Sequence, residues 1–331
     1  MKKSKITTIL CIFSNLFIFV ILFIVYGPIP KFRNWFITTS LASGNHKWFA
    51  KVLYSDDTIK KTMMANKTNE VNEDTDVNSI TFVTDKESYD SIYEKQILEH
   101  EDDAVYKVIR IKENDYSGYL VAIYDSSRIN LVTSSNIEHG GQTMESIARE
   151  NEAIVAINAS GFARKDGALI PTGTVIQDGK VVSVGGKNTH GGGLIGFTKN
   201  NVLMLTTDSA ENAIKKGMDR GMTFGPFLIV NGVASDVKGN GGFGVANRTA
   251  IAQRKDGIVL FLIIDGRGAD GSNGITIADM IPLLERYGAY NAANLDGGGS
   301  STLVIEDELI NNPRGYSYTG ERYLPNAWIV K

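Results

Sequence analysis

The sequence predicts an α+β protein: a mostly antiparallel, hairpin-rich mixed sheet with a few packed helices, preceded by one N-terminal transmembrane helix. Three observations carry this expectation. Short apolar runs recur from about residue 104 onward, several joined by Asp178-Gly179, Asn231-Gly232 and Asp256-Gly257, dipeptides that supply the positive φ of tight hairpins. Helix-start patterns are few. Ile6 to Tyr26 is apolar apart from Thr7, Thr8, Ser14 and Asn15, long enough to cross a bilayer.

Composition narrows the function classes. A net charge of −3 over 331 residues gives no electrostatic footing for nucleic acid, and 43% hydrophobic content allows a sizeable core. The single cysteine, Cys11, rules out an intrachain disulfide and a cysteine-based metal site. His46, His100, His139 and His190 lack ligand spacing. Glycine, at 34 residues, is abundant and lies mostly after residue 139, which points to tight turns and close backbone approaches.

Four segments follow from the pattern. Residues 1–33 read as a cytoplasmic stub and membrane anchor: Lys2, Lys3 and Lys5 precede the apolar run, and Gly27-Pro28-Ile29-Pro30 follows it instead of a small-residue cleavage site. This places the body outside the membrane. Residues 34–66, with Trp35, Phe36, Trp48 and Phe49, read as a juxtamembrane amphipathic helical segment. Residues 67–103 are acid-rich (Glu70, Glu73, Asp74, Asp76, Asp85, Glu87) and read as a partly disordered stalk. Residues 104–331 read as the catalytic body.

Within the body, Tyr119–Tyr124 and Ile129–Thr133 are expected to pair as a hairpin across Asp125–Arg128. Thr143 opens a short helix ending near Asn151, and Ala153–Ile157 is a buried strand running into Asn158. Further hairpins are expected across Asp178-Gly179, Lys199–Asn201, Asn231-Gly232 and Asp256-Gly257. Thr276-Ile-Ala-Asp279 opens a helix that Gly288 stops; Pro282 inside it has no explanation at the level of sequence.

The chemistry gathers at Asn294-Leu-Asp296-Gly297-Gly298-Gly299-Ser300-Ser301-Thr302. Consecutive glycines let exposed amides form an anion-binding concavity, and the hydroxyls add donors. Polar residues also recur where apolar strands end: Asn158, Arg248-Thr249, Asp265-Gly266-Arg267 and Arg322. Two carboxylates with guanidinium groups and a backbone nest suit a hydrolysable anionic substrate.

The same residues resemble the phosphodiester glycosidase family. The matches are the Asn294–Thr302 stretch, Ile264-Asp-Gly-Arg267, Arg248-Thr-Ala-Ile251, Ala156-Ile-Asn158, Gly225-Pro226 with Asn231-Gly232, and Glu321–Ala327. They cover roughly residues 104–331. Where family members often carry two aromatics after an Asn-Gly-Gly-type turn, Ser160-Gly161-Phe162-Ala163 carries one. The resemblance implies hydrolysis of a sugar-1-phosphodiester at the anomeric C–O bond. It implies Asp296, Asp265 and Arg248 as catalytic residues. Asn158, Thr249, Arg267, Asn294, Gly297, Gly298, Gly299, Ser300, Ser301 and Arg322 would bind substrate. Either carboxylate can serve as nucleophile or as base for water. The anchor resembles that of bacterial surface relatives related to exopolysaccharide, so the expected partner is a sugar-phosphate or anionic glycan at the cell surface, with oligomerisation open. No cofactor is required; a divalent cation such as calcium fits an alternative in which Asp265, Asp270 and Asp296 make a metal-dependent phosphodiesterase. A second alternative is a non-catalytic polysaccharide-binding or assembly module.

Overall fold

A computed structural model describes residues 2–42, 46–82, 88–315 and 320–331. Asp85 and Glu87 of the acid-rich stretch lie outside the described residues. The chain divides into two compact units, residues 1–67 with 238–244, and residues 68–237 with 245–331.

The first unit is helical. Lys2–Tyr26 is followed by Pro30–Ala42, Lys47–Leu53 and Asp56–Ala65. Ser55 caps the last of these by accepting from Thr58 N at 3.3 Å, and Asp56 and Asp57 add negative charge to its first turn. Tyr54 packs edge-on against Tyr26 and Phe36, and its hydroxyl donates to Val25 O at 3.1 Å. Ile9–Tyr26 is long and apolar enough to cross a membrane, and none of it is buried in the protein.

The second unit is the expected α+β body. A seven-stranded sheet runs in the order Val233–Ala234, Phe227–Val230, Ala289–Asn294, Arg248–Arg254, Val259–Ile264, Ser117–Ile123, Tyr106–Lys112. A five-stranded sheet runs Glu308–Leu309, Leu303–Ile305, Val155–Asn158, Asn326–Val330, Ile129–Thr133. A second five-stranded sheet runs Leu203–Thr206, Gly193–Thr198, Met218–Phe224, Thr174–Gln177, Lys180–Val184. The pairings in all three are antiparallel. One apolar core joins them: Val121, Phe261 and Ile251 from the first, Ile157 and Trp328 from the second, Ile195 and Phe197 from the third. Trp328 is fully buried and meets Phe197 edge-on at 5.6 Å.

Four of the expected hairpins form. Asp178 and Gly179 take φ of 50° and 66°, and Asn231 and Gly232 take 53° and 78°, as the right-handed strand twist demands of two-residue turns. The pairs across 199–201 and 256–257 are also present. The expected hairpin across Asp125–Arg128 does not form. Ser117–Ile123 pairs with Tyr106–Lys112 and Val259–Ile264, whereas Ile129–Thr133 pairs with Asn326–Val330. Val121, Ile123, Ile129 and Leu131 all belong to one buried core, and the short Ser126–Arg128 turn carries the chain from one sheet to another. Apolar alternation marks both segments as strands but does not say whether they lie side by side or stack.

The helix Met144–Glu150 starts at Thr143 as expected, and Ile277–Arg286 starts at Thr276, whose hydroxyl accepts from Asp279 N at 3.1 Å. Its core face is Ile277, Met280, Ile281, Leu283 and Leu284. Pro282 falls on the exposed side. The amide it lacks would have bonded Ala278 O, and Ala278 is half-buried, on the margin of the core face. The described residues of the expected stalk lie against the body instead of extending from it. Thr75 N donates to Leu205 O and its hydroxyl accepts from Leu205 N, each at 3.0 Å, Tyr287 Oη donates to Gln96 Oε1 at 3.0 Å, and Ile97 is fully buried.

Candidate active site

Asp296 sits just past the end of the strand Ala289–Asn294, where the chain leaves the sheet for the glycine loop. Its backbone is held by the end of Val155–Asn158, a strand of another sheet: Asp296 N donates to Ala159 O at 3.2 Å, and Asn158 Nδ2 donates to Asp296 O. Asn158 is 1% exposed. Its Oδ1 accepts from Thr249 Oγ1 at 2.8 Å and from Thr302 N at 3.2 Å. Asn158 and Thr249 are thereby committed to the loop that carries Asp296, each with its polar group facing protein. Together they hold the backbone of Asp296 at this strand end.

The glycine loop is more self-contained than an open nest. Gly298–Ser300 winds into a single short 3-10 turn. Gly298 N donates to Asn247 O at 2.8 Å, and Ser300 N donates to Gly297 O at 3.2 Å. Positive charge completes the cradle. Arg322 Nη1 donates to Ser300 Oγ at 3.1 Å while standing 4.0 Å from Asp296 Oδ2. Its guanidinium lies 4.3 Å above the Phe162 ring, a cation–π contact that holds it in place. Arg248 is 6% exposed and packs against Gly297, where a Cβ would stand 3.6 Å from its Nη1. Burial pushes its pKa down to about 10, opposed by the charge of Asp296. Arg267 is exposed at the rim, its Nη1 donating to Arg314 O at 3.2 Å. A Cβ on Gly298 would come 3.7 Å from its Nη2.

Burial raises the Asp296 carboxyl above the usual range, and Arg322, Ser300, His190 and Gly297 N hold it down. Desolvation disfavours the charged form; cations and donors favour it. Asp265 is fully buried and also raised by burial, with Asn311 and Asn312 N lowering it. Asn294 Nδ2 donates to Gly225 O at 2.8 Å, joining the Asp296 strand to the neighbouring Gly225-Pro226 turn. Asp270 lies apart, its exposed carboxylate paired with Arg110 at 2.8 Å. Among the described residues no group of three or more acidic, histidine or cysteine side chains converges to hold a metal. The grouping of Asp265, Asp270 and Asp296 that the metal-dependent alternative needs is thus not among the clusters the described residues form.

The fold brings Asp296, Ser300, Arg248 and Arg322 together around one loop and sets Asn158, Thr249 and Asn294 as its supports. Sequence reasoning missed three residues here. Asn311 bridges Asp265 to Ser301, Asn247 O anchors Gly298, and the charge of His190 reaches Asp296. Their signals were faint: Asn311 stands in Asn-Asn-Pro, Asn247 precedes Arg248, and His190 is the one histidine inside a glycine-rich run.

A carboxylate and two guanidinium groups converging on a glycine loop at a sheet end define a site for anionic, hydrolysable substrates. Residues 151–331 match the phosphodiester glycosidase family model, and the chain belongs to that family. It is 32% identical over 182 residues to the SPbeta prophage-derived uncharacterized protein YomE of Bacillus subtilis, covering 52% of this chain and 27% of that protein. It is 27% identical over 235 residues to N-acetylglucosamine-1-phosphodiester alpha-N-acetylglucosaminidase of Bos taurus, covering 60% and 40% respectively. The matches thus take in less than half the length of these relatives. The auto-inhibited catalytic domain of the zebrafish N-acetylglucosamine-1-phosphodiester alpha-N-acetylglucosaminidase aligns with a TM-score of 0.55 and 20% identity, over 70% of this chain and 85% of that one; that likeness concerns the fold.

Proposed function

We propose that this protein hydrolyses a sugar-1-phosphodiester, cleaving the anomeric C–O bond to release a sugar, such as N-acetylglucosamine, and a phosphate monoester. The observation that carries the reading is Arg322, one guanidinium placed between Ser300 Oγ and the Asp296 carboxylate. A phosphate held by Arg322, Arg248 and the serine hydroxyls would put its sugar carbon beside Asp296. Asp296 then takes the proton of the water that attacks that carbon. Arg248 and Arg322 stabilise the charge that collects on the departing phosphate, the larger task when the leaving group is already acidic. Asp265 supports the loop from behind, and Arg267 meets the substrate at the rim.

The chain acts on a surface glycan or polysaccharide, tethered through the apolar helix with its N-terminus cytoplasmic and its body outside. The extent and apolarity of Ile9–Tyr26 support the tether. The test is hydrolysis of a GlcNAc-1-phosphodiester by the full chain in detergent micelles and ¹⁸O water. Label in the released sugar is expected. Label in the phosphate would mean P–O cleavage, and tight binding without turnover would mean a glycan-binding module.

A further inference from the structure

Arg322 is half-buried, and the residue before it is fully so. Glu321 lies in the interior, a rare place for a glutamate unless its carboxyl is bonded. Its Oε1 accepts from Met144 N at 2.9 Å. Met144 is the first residue of the helix Met144–Glu150, so its amide has no partner within the helix. The hydroxyl of the N-cap Thr143 accepts from Ser146 N at 3.3 Å. Glu321 takes one of the amides that this cap leaves over.

The chain that follows Glu321 is tied to the same place. Leu324 N donates to Gln142 O at 2.7 Å, and Gln142 N donates back to Leu324 O at 3.3 Å. Ser134 N donates to Pro325 O at 2.8 Å. Gly315 closes in on Glu321 itself: a Cβ there would stand 2.5 Å from the Glu321 carbonyl carbon, so backbone packs directly on backbone.

The aromatic support of Arg322 has the same foundation. Phe162 packs against the cluster that holds Met144 and Leu324. Two residues before it, Ser160 donates through its N and its Oγ to Asn326 Oδ1, at 3.0 and 2.8 Å. The guanidinium of Arg322 lies 4.3 Å above the Phe162 ring, 3.1 Å from Ser300 Oγ and 4.0 Å from Asp296 Oδ2. Both the ring beneath it and the backbone behind it are therefore built on the start of one helix. An arginine side chain loses much rotamer freedom when it is held in one geometry, and a cation stabilises developing charge best when it is already in place.

We propose that Glu321 is a positioning residue for the reaction: its buried carboxyl, bonded to Met144 N, pins the backbone from which Arg322 reaches Ser300 and Asp296. This rests on the glycosyl phosphodiester reading. Glu321 touches no reacting atom and acts only through Arg322. Adjacent residues of the closing Glu321–Ala327 stretch thus divide the work, one anchoring the chain inside the protein and the other meeting the anion.

The experiment compares Glu321→Ala, Glu321→Gln, Arg322→Gln and the double variant Glu321→Ala with Arg322→Gln, each as the full chain in detergent micelles. On a sugar-1-phosphodiester, kcat/KM should fall roughly 10–100-fold in Arg322→Gln and by a similar factor in Glu321→Ala. The double variant should fall no further than Arg322→Gln. The acid limb should move to higher pH in Glu321→Ala as in Arg322→Gln, because Arg322 holds the Asp296 carboxyl down. Glu321→Gln keeps an acceptor for Met144 N and should restore both rate and midpoint. A Glu321 that only stabilised the fold would lower the Tm of Glu321→Ala and leave the acid limb in place; that outcome, or an additive double variant, overturns the proposal. Should Glu321→Ala not fold, Met144→Pro removes the donor instead. Proline suits the first helical position, and Thr143, at φ −66° and ψ 159°, suits the residue before it. Its acid limb should shift in the same direction, and an unmoved limb overturns the proposal. Calorimetric binding of inorganic phosphate needs no turnover. Glu321→Ala and Arg322→Gln should weaken it alike and without adding. A wild type that cleaves no sugar phosphodiester yet shows that pattern overturns the reaction and leaves the positioning standing. An active enzyme whose phosphate affinity ignores Glu321→Ala overturns the positioning alone.

Discussion

Asp265 and Asn311 are hydrogen-bonded in the protein interior, Asn311 Nδ2 donating to Asp265 Oδ1 at 3.0 Å. The same Nδ2 donates to Ser301 O at 3.0 Å, and Asn311 Oδ1 accepts from Leu303 N at 2.7 Å. Asn312 N adds a second donor to Asp265 Oδ1 at 3.1 Å. The carboxylate at the end of the most apolar strand is thus coupled to the far end of the glycine loop, with its other oxygen buried and unbonded among the described residues.

Replacing Asp265 with Asn tests this coupling through pH. Burial holds the folded pKa of Asp265 above its unfolded value near 3.9. Wild type therefore loses stability as pH rises from the unfolded value through the folded one, and the loss is complete above both. Asp265→Asn keeps an acceptor for Asn311 and carries no charge. Its Tm should match wild type at acid pH and exceed it at pH 7, with turnover reduced. A Tm below wild type at neutral pH would contradict the assignment. Asn311→Ala removes the bridge outright and should cost about 1–3 kcal/mol by denaturant unfolding.

Asp296 should set the acid limb of the reaction. Because burial raises its pKa, kcat/KM should climb with pH through a midpoint above that of an ordinary aspartate. Arg322 lowers that pKa, so Arg322→Gln should move the midpoint to higher pH and raise KM for the phosphodiester. Asp296→Asn should fold normally and lose roughly 10²–10⁴-fold in turnover. A folded Asp296→Asn variant with wild-type rates would remove Asp296 from the mechanism.

Two glycines of the loop should respond differently to a methyl group. A Cβ at Gly297 would stand 2.8 Å from Asn247 O, a backbone atom with little freedom to move. Gly297→Ala should cost about 1–3 kcal/mol and displace Asp296, lowering kcat/KM. Gly298 has φ of 62°, and the nearest atom to its Cβ is the end of the Arg267 side chain at 3.7 Å. Gly298→Ala should cost only about 1 kcal/mol of backbone strain. Thermal unfolding and kcat/KM of the two variants check the ranking.

The N-terminal helix gives a prediction independent of the site. With Ile9–Tyr26 apolar and unburied, the full chain should sediment with membranes and resist extraction by high salt or carbonate. Deleting residues 2–26 should release it to the soluble fraction. Salt-extractable full-length protein would exclude an integral anchor.

The sequence by itself determined the α+β class, most of the hairpins and both main helix starts of the body, because those depend on neighbours within a few residues. Asp-Gly and Asn-Gly set their own backbone turns, and Thr143 and Thr276 cap the helices that follow them. It also placed Asp296, the glycine run and Arg322 on one list, since their residue types announce anion chemistry. The tertiary structure decided which sheet each strand joins, as Ile123 and Ile129 show by sharing one core though their strands belong to different sheets. It decided that Asn158 and Thr249 support the loop that carries Asp296, and that Asn311 ties Asp265 to Ser301. Asn311 meets Asp265 across 46 positions of sequence. Local pattern encodes dihedral preference and burial; partnership across the core is settled only when the sheets close on one another.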